Sequence, residues 1–518
     1  AFQLSAQTFA LANDDNGIKV VPVNFTHNGY SYEIEGVAKS TDGDYQIKSP
    51  ARLAARKLPS TYDPRSSGEI TTVKDQASTG ACWAFSALAC AEQDLIKKGL
   101  ENPSTEFSVP ALVLSSNSGT ATGKDDFSSG GNWLFAASAL ANGQGLCYED
   151  YEPFLESGTG NMIVSENKKS VSEYRLNYVM ELSSTTQVKR KIMELGAVSA
   201  SYFAGNGYMN HNNTAYYDPD ASKNTIINHS VTVVGWDDNY SKDNFRYKPA
   251  NNGAWLVKGS WGADQDNDGF YWVSYDEAEF GQFCCYDFEE SCDNTYHYSK
   301  MTGYVVNASN DGSVYGANVF TAKADEKLDK AGFMYVGKTG SADYTLSVYT
   351  NVSDSDPIGV LETQISGSVS ANGFYTVDFP EDILLEEGEK YSISVKFSGD
   401  SGRGYLLAES DRTSKAQSGQ SYVSLNGKYW SDVGADKTDS IGSLFIYAYT
   451  DDTAKPDKSS LESALAKYGT LAGCEREANN ARTVLADETA SKNDISNAQK
   501  LLISCLLYTS PSPRDRQK

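Results

Sequence analysis

Residues 76–86 read QASTGACWAFS. A glutamine and a run of small residues lead into Cys82, which is followed at once by Trp83 and an apolar stretch. From Ala81 the apolar positions 81, 84, 85, 88, 89, 95 and 96 recur at helical spacing, and Lys97-Lys98-Gly99 supplies basic residues and a glycine stop. The spacing predicts a helix whose first turn holds Cys82. Packing alone would favour alanine there. A cysteine at a helix N-terminus sits instead where the helix dipole stabilises a thiolate, the reactive form of the side chain.

A thiolate gains more from a nearby imidazolium. Of the four histidines, His27, His211, His229 and His297, only His229 lies in a convincing strand, TIINHSVTVVGW at 225–236. Strand alternation places it on one face with Val231 and Val233. GAWLVKGSWG (253–262) and GFYWVSY (269–275) are two further strand candidates. Upstream, residues 1–57 read as an extension, and the turn-rich LPSTYDPRSSGEITTVKDQ at 58–76 leads into the opening stretch. A helical first half followed by strands indicates an α+β domain of about 230 residues, placed at 58–292.

Residues 58–275 resemble a papain-family cysteine peptidase. The resemblance runs through YDPR (62–65), ITTVKDQ (70–76), GACWAFSA (80–87), FSVPALV (107–113), SSGGNW (128–133), NHSVTVVGW (228–236) and LVKGSWG (256–262). Any one of these motifs would be weak, but the linked series is specific. It implies a papain-like fold of two subdomains, one helical and one β-rich, and hydrolysis of protein or peptide substrates with no cofactor and no metal. Cys82 would be the nucleophile that forms an acyl-enzyme. His229, 147 residues downstream, would pair with it as imidazolium and protonate the leaving amine. Gln76 and the backbone N–H of Cys82 would stabilise the oxyanion. Gly130 and Gly131 would bind the substrate backbone, and Trp83 and Trp261 would pack around the catalytic pair, with Trp261 also facing substrate. For each residue taken alone the ordinary reading is blander: a buried small cysteine, a core histidine, a plain glycine turn, a core tryptophan.

One position departs from the pattern. Where the family carries the asparagine of NSWG, which orients the imidazole, this chain has Gly259. Asn251, Asn252 or a water are the substitutes the sequence offers. Weakened rather than absent activity is the expectation, and the alternative is a catalytically impaired papain fold kept as a cell-surface or glycan-binding scaffold. Thr79 stands where many relatives have a disulfide-forming cysteine, and the stretch 237–252 after His229 is longer than usual.

The rest of the chain sets the context. At 518 residues several domains are expected. A net charge of −24 argues against nucleic acid as a partner. Eight cysteines show no zinc-ligand spacing, and no apolar run reaches transmembrane length. DQDNDG (264–269) opens like a calcium loop, but its twelfth position is Tyr275, so a hairpin turn is the better reading. Short alternating segments over 296–452 predict an all-β sandwich that resembles the lectin-like domains following some bacterial papain-type peptidases, with carbohydrate or cell-wall glycan as the implied ligand. Residues 453–458 read as a linker, and 459–504 resemble part of a helical FIVAR-type repeat. CLLYTSPSPRD at 505–515 looks like the translation of a sequencing adapter, which sets 505–518 apart as an artefact. Ala10-Leu11-Ala12 resembles a signal-peptide cleavage pattern. The expected location is secreted or cell-surface, in a Gram-positive bacterium.

Overall fold

The computed structural model describes residues 19–27, 30–34 and 58–509, apart from 117–126, 128–129, 150–172, 206, 222–226, 264–265, 301–304, 354, 411–415, 436–440, 454–457, 472–473, 488–489 and 491. The Ala10-Leu11-Ala12 pattern and the end of the adapter-like tail lie outside the described residues.

The helix predicted from the opening stretch runs Cys82–Lys98 and ends at Gly99, whose N–H returns to the Ile96 carbonyl at 3.0 Å. Every residue from Cys82 to Leu95 is buried. Two short helices pack near it. Val109–Ser115 is capped by the Ser108 hydroxyl and Trp133–Ala141 by the Asn132 side chain, each satisfying otherwise orphaned N–H groups. On the other side of the long helix lies an antiparallel sheet. His229–Asp237 pairs with Val198–Tyr202 on one flank and Ala254–Lys258 on the other, and Phe270–Ser274 follows beyond. Gly281–Glu290 and Tyr174–Leu182 extend the sheet past Val198–Tyr202. The expected α+β architecture of a helical part and a β-rich part is what the chain forms. The segment around DQDNDG joins two antiparallel strands, with Lys258 opposite Phe270.

The second domain does not stand apart. Tyr178, Val179 and Met180 pair with Tyr375, Phe374 and Gly373, so the protease sheet continues into Gly373–Leu385, Glu326–Tyr335, Ile446–Asp452 and Asn294–Tyr296. A second sheet, built on the long strands Val305–Thr321 and Lys390–Ser410 with Ala342–Thr350 and Val360–Val369, packs across it. Leu328, Phe333, Val314, Leu346, Ile393 and Val395 fill the space between the sheets. Phe374, Tyr447 and Tyr449 of the sandwich share a core with Phe135 and Leu140 of the Trp133–Ala141 helix. A hairpin of Lys19–His27 and Tyr30–Ile34 extends the second sheet alongside residues 306–309. Helices Ser459–Tyr468, Glu475–Ala486 and Lys492–Thr509 bury Leu461, Ala478, Ala481, Ile495 and Leu502 against one another. No helix among the described residues is long and apolar enough to cross a membrane.

Candidate active site

Three segments meet at the start of the Cys82 helix. The first is the loop at 75–80. Its backbone is tied to the segment after Lys258, with the Gln76 N–H donating to the Ser260 carbonyl at 2.7 Å and Asp75 bridging Trp261. The Gln76 side chain, 6% exposed, is held at both ends. Its Oε1 accepts from the Ser260 hydroxyl at 2.6 Å, and its Nε2 donates to the Thr79 carbonyl at 2.9 Å. A primary amide has two N–H groups, so one remains beyond the bond to Thr79.

Cys82 is the first helical residue, 5% exposed, and a free thiol. Burial raises its pKa, opposed by the N–H and hydroxyl of Ser230 and by the N–H groups of Trp83 and of Cys82 itself. Ser230 follows His229 in the adjacent strand. The Ser86 hydroxyl, one turn along the helix, donates to the Val231 carbonyl at 2.7 Å and fixes helix against strand.

His229 opens that strand and is 5% exposed. Its ring stacks on Trp261 with centroids 4.3 Å apart and planes 7° from parallel, while Tyr202 lies tilted at 5.9 Å. Trp261 is 41% exposed, so it covers the imidazole from the solvent side. The Nε2 of His229 is buried without a hydrogen-bond partner. No hydrogen bond joins Cys82 to His229 among the described residues. Burial pushes the imidazole pKa down to about 3. Helix position and histidine proximity predict a charged pair. Instead, burial favours a neutral thiol beside a neutral imidazole.

Gly259 gives its N–H to the Gly269 carbonyl at 3.1 Å. A Cβ there would lie 3.1 Å from that carbonyl oxygen and 3.5 Å from Tyr271 Cε1. Asn251 and Asn252 are exposed and engaged elsewhere, with Asp276 and with the Lys242 N–H respectively. Neither stands behind His229. Tyr271 and Tyr202 bond to each other through their hydroxyls at 2.8 Å.

Gly130 takes a φ of +70°, and a Cβ on Gly131 would fall 2.4 Å from Trp83 Cε2. The glycine pair is therefore demanded by backbone conformation at one residue and by the indole of Trp83 at the next. Ser260, Ser230 and the Tyr202–Tyr271 pair were not singled out by the sequence. Ser260 sits inside the quoted GSWG, but its contact with Gln76 spans 184 positions and appears only in three dimensions. Elsewhere, Cys292, Asp329 and Asp451 bring ligand-type atoms within 4.8 Å of one another. The Arg175 guanidinium and the Lys330 ammonium act on the same cluster and compensate its charge.

The burial of His229 has a measurable consequence. Between about pH 6.5 and 3 the unfolded chain binds a proton that the native imidazole refuses, so this group's contribution to stability is full above pH 6.5 and falls as the pH drops through that window. Asp94 and Glu277, pushed up to about 7 by burial, act in the opposite direction and mask the effect in the parent protein. Comparison with His229→Gln cancels them. The stability of the parent relative to that variant is expected to fall by roughly 3 kcal/mol from pH 7 to pH 4. A pH-independent difference between the two would contradict the buried neutral imidazole.

The papain family cysteine protease pattern matches residues 58–310, and the lectin-like domain pattern matches 295–450. Cathepsin S of Bos taurus is 29% identical over 218 residues, covering 42% of this chain and 60% of the relative. Procathepsin L of Felis catus is 28% identical over 224 residues, covering 42% and 62%. The chain spans about three fifths of the length of these relatives. Among solved structures, a clostridial cysteine protease, Cwp84, after propeptide cleavage has a TM-score of 0.66 at 27% identity, covering 76% of this chain and all of that one. The protease and lectin-like domains of Cwp84, described as a surface layer associated protein of Clostridium difficile, give 0.66 at 26% identity, covering 82% and 92%. Residues 58–310 thus belong to the papain family of cysteine proteases and are followed, over 295–450, by a lectin-like domain.

Proposed function

We propose that this protein is a cysteine endopeptidase of reduced turnover, secreted or displayed at the surface of a Gram-positive bacterium. The observation that carries the proposal is the meeting of the Cys82 helix start with the strand that begins at His229, beside the Gln76 amide. In the reaction, His229 takes the proton of the Cys82 thiol, and the thiolate attacks the peptide carbonyl carbon. The developing oxyanion is met by the remaining Gln76 N–H and the Cys82 backbone N–H. The imidazolium then protonates the leaving amine, and water hydrolyses the thioester. Gly130 and Gly131 hold the substrate backbone, with Trp261 at the edge of the cleft. An irreversible vinyl-sulfone inhibitor tests the proposal: it should add once, to Cys82, as read by mass spectrometry of the digested protein.

The reduced turnover rests on Gly259 and the unpartnered Nε2 of His229. Gly259→Asn is expected to raise kcat about tenfold with little change in KM, because an oriented imidazole matters chiefly where the proton moves. The backbone at Gly259 is not left-handed, so the substitution meets one obstacle, the Gly269 carbonyl at 3.1 Å. A variant that melts with the parent yet shows unchanged or lower kcat would mean that another group already orients His229.

The same unpartnered nitrogen supports a second reading, a papain-fold scaffold whose sandwich engages carbohydrate or cell-wall glycans. Tyr429, 78% exposed on the sandwich, is the kind of side chain that stacks on a sugar ring. A folded protein that the vinyl sulfone leaves unlabelled would favour this reading over the peptidase.

A further inference from the structure

Glu181, at the end of the Tyr174–Leu182 strand, lies between the protease domain and the lectin-like sandwich and is bonded to both. Its Oε1 accepts from the Trp133 indole N–H at 3.1 Å, and its Oε2 accepts from the Asn372 side-chain amide at 3.0 Å. Its backbone N–H donates to the Asn372 carbonyl at 2.9 Å. Asn372 belongs to the sandwich and is itself fixed, because its Oδ1 accepts from the Gly337 N–H at 3.0 Å. It is buried, and it immediately precedes the Gly373–Tyr375 stretch that joins the two domains' sheets.

The other end of this chain of bonds reaches the cleft. Trp133 is the first residue of the Trp133–Ala141 helix, next to Asn132, whose side chain caps that helix through the Leu134 and Phe135 N–H groups. Gly130 and Gly131 come just before, with Gly131 close against the Trp83 ring, adjacent to Cys82. The glycine segment is therefore held between Trp83 on the side of the nucleophile and Trp133 on the side of the sandwich. We propose that Glu181 and Asn372 are a positioning pair through which the lectin-like sandwich fixes the segment 130–133, and with it the affinity of the cleft for extended peptide substrates. This rests on the reading of Gly130 and Gly131 as the segment that binds substrate backbone.

The polarity of the pair makes it testable by exchange. In Glu181→Gln, the new amide can still accept from Trp133, but its N–H groups then face those of Asn372. Turning Asn372 over relieves that conflict only by aiming its N–H groups at the Gly337 N–H. In Asn372→Asp, two carboxylates face each other. The double variant restores every bond, with donor and acceptor exchanged between positions 181 and 372. The Trp133 indole donates to the new amide oxygen at 181, and that amide's N–H donates to the new carboxylate at 372. The Gly337 N–H donates to the other oxygen of the same carboxylate. Each single change in the full chain is expected to raise KM for an extended fluorogenic peptide about tenfold, with kcat near the parent value and a minimal one-residue ester unaffected. The double variant should return KM to near the parent. Amide exchange at 130–133, followed in parallel, should speed up in the singles and slow again in the double, whether or not the protein turns over. Failure of the parent to react with the vinyl sulfone would remove the nucleophile reading and leave the exchange data to decide this one. Singles with parental KM and exchange, or a double variant as impaired as the singles, would overturn the proposal.

Discussion

Cys82→Ala is expected to lower turnover of a peptide substrate by about 10⁴-fold or more while leaving the protein folded. The size of the effect follows from chemistry, since without the sulfur no acyl-enzyme forms and the remaining groups have only a weak water nucleophile to assist. The sparing of the fold follows from the surroundings. Cys82 makes no disulfide, and alanine is a better helix former that removes a single buried atom. The helix is anchored independently by Ser86 on the Val231 carbonyl and by the buried face from Trp83 to Leu95. The vinyl-sulfone adduct should vanish with the turnover. A Cys82→Ala protein that still cleaves, or still takes up the inhibitor, would show that another residue is the nucleophile. Five further cysteines among the described residues are buried and outside any disulfide, at 90, 147, 284, 285 and 292, and none of them begins a helix.

What could be read from the chain, and what could not, divides along contact distance. The Cys82 helix was legible because its signals are local: an apolar period, two lysines and a glycine within one segment. The strand at His229 was legible for the same reason, as was the glycine at 259, inside a quoted motif where the family resemblance implies an asparagine. Which groups stand near His229 in place of such an asparagine was legible only in part. The sequence offered Asn251 and Asn252 as replacements, and both are pulled to the surface by Asp276 and by the turn at Lys242. The protonation state was not legible at all. The depression of the His229 pKa comes from burial by residues that surround it from several strands and loops, including Tyr202 and Trp261, and no local pattern reports it. The domain junction was hidden for a similar reason. The composition changes near residue 296, but the joint is made by Tyr178, Val179 and Met180 pairing with residues almost 200 positions away. Each partner taken alone is an ordinary strand residue.

Gln76→Ala is expected to lower kcat by about 10²–10³-fold with little change in KM, because the amide's contact strengthens as charge develops on the substrate oxygen. The geometry argues that the loss would be catalytic rather than structural. The loop is docked by the Gln76 backbone N–H on the Ser260 carbonyl, at 2.7 Å, and by the Asp75–Trp261 bridge, and neither needs the side chain. The Ser260 hydroxyl loses its acceptor and the Thr79 carbonyl its donor, a cost in stability of about 1–3 kcal/mol that a melting curve would register separately from the rate. Gln76→Glu discriminates further. A carboxylate can still accept from Ser260, but it faces the Thr79 carbonyl with an oxygen in place of an N–H and directs negative charge at the oxyanion. Its kcat should therefore fall below that of Gln76→Ala, although its volume is nearly that of the parent. If side-chain bulk were all that Gln76 supplies, the order would reverse, and glutamate would outperform alanine. A kcat within about threefold of the parent in Gln76→Ala, in a protein that still labels at Cys82, would place the oxyanion elsewhere and leave the Ser260–Gln76–Thr79 bonds as loop architecture alone.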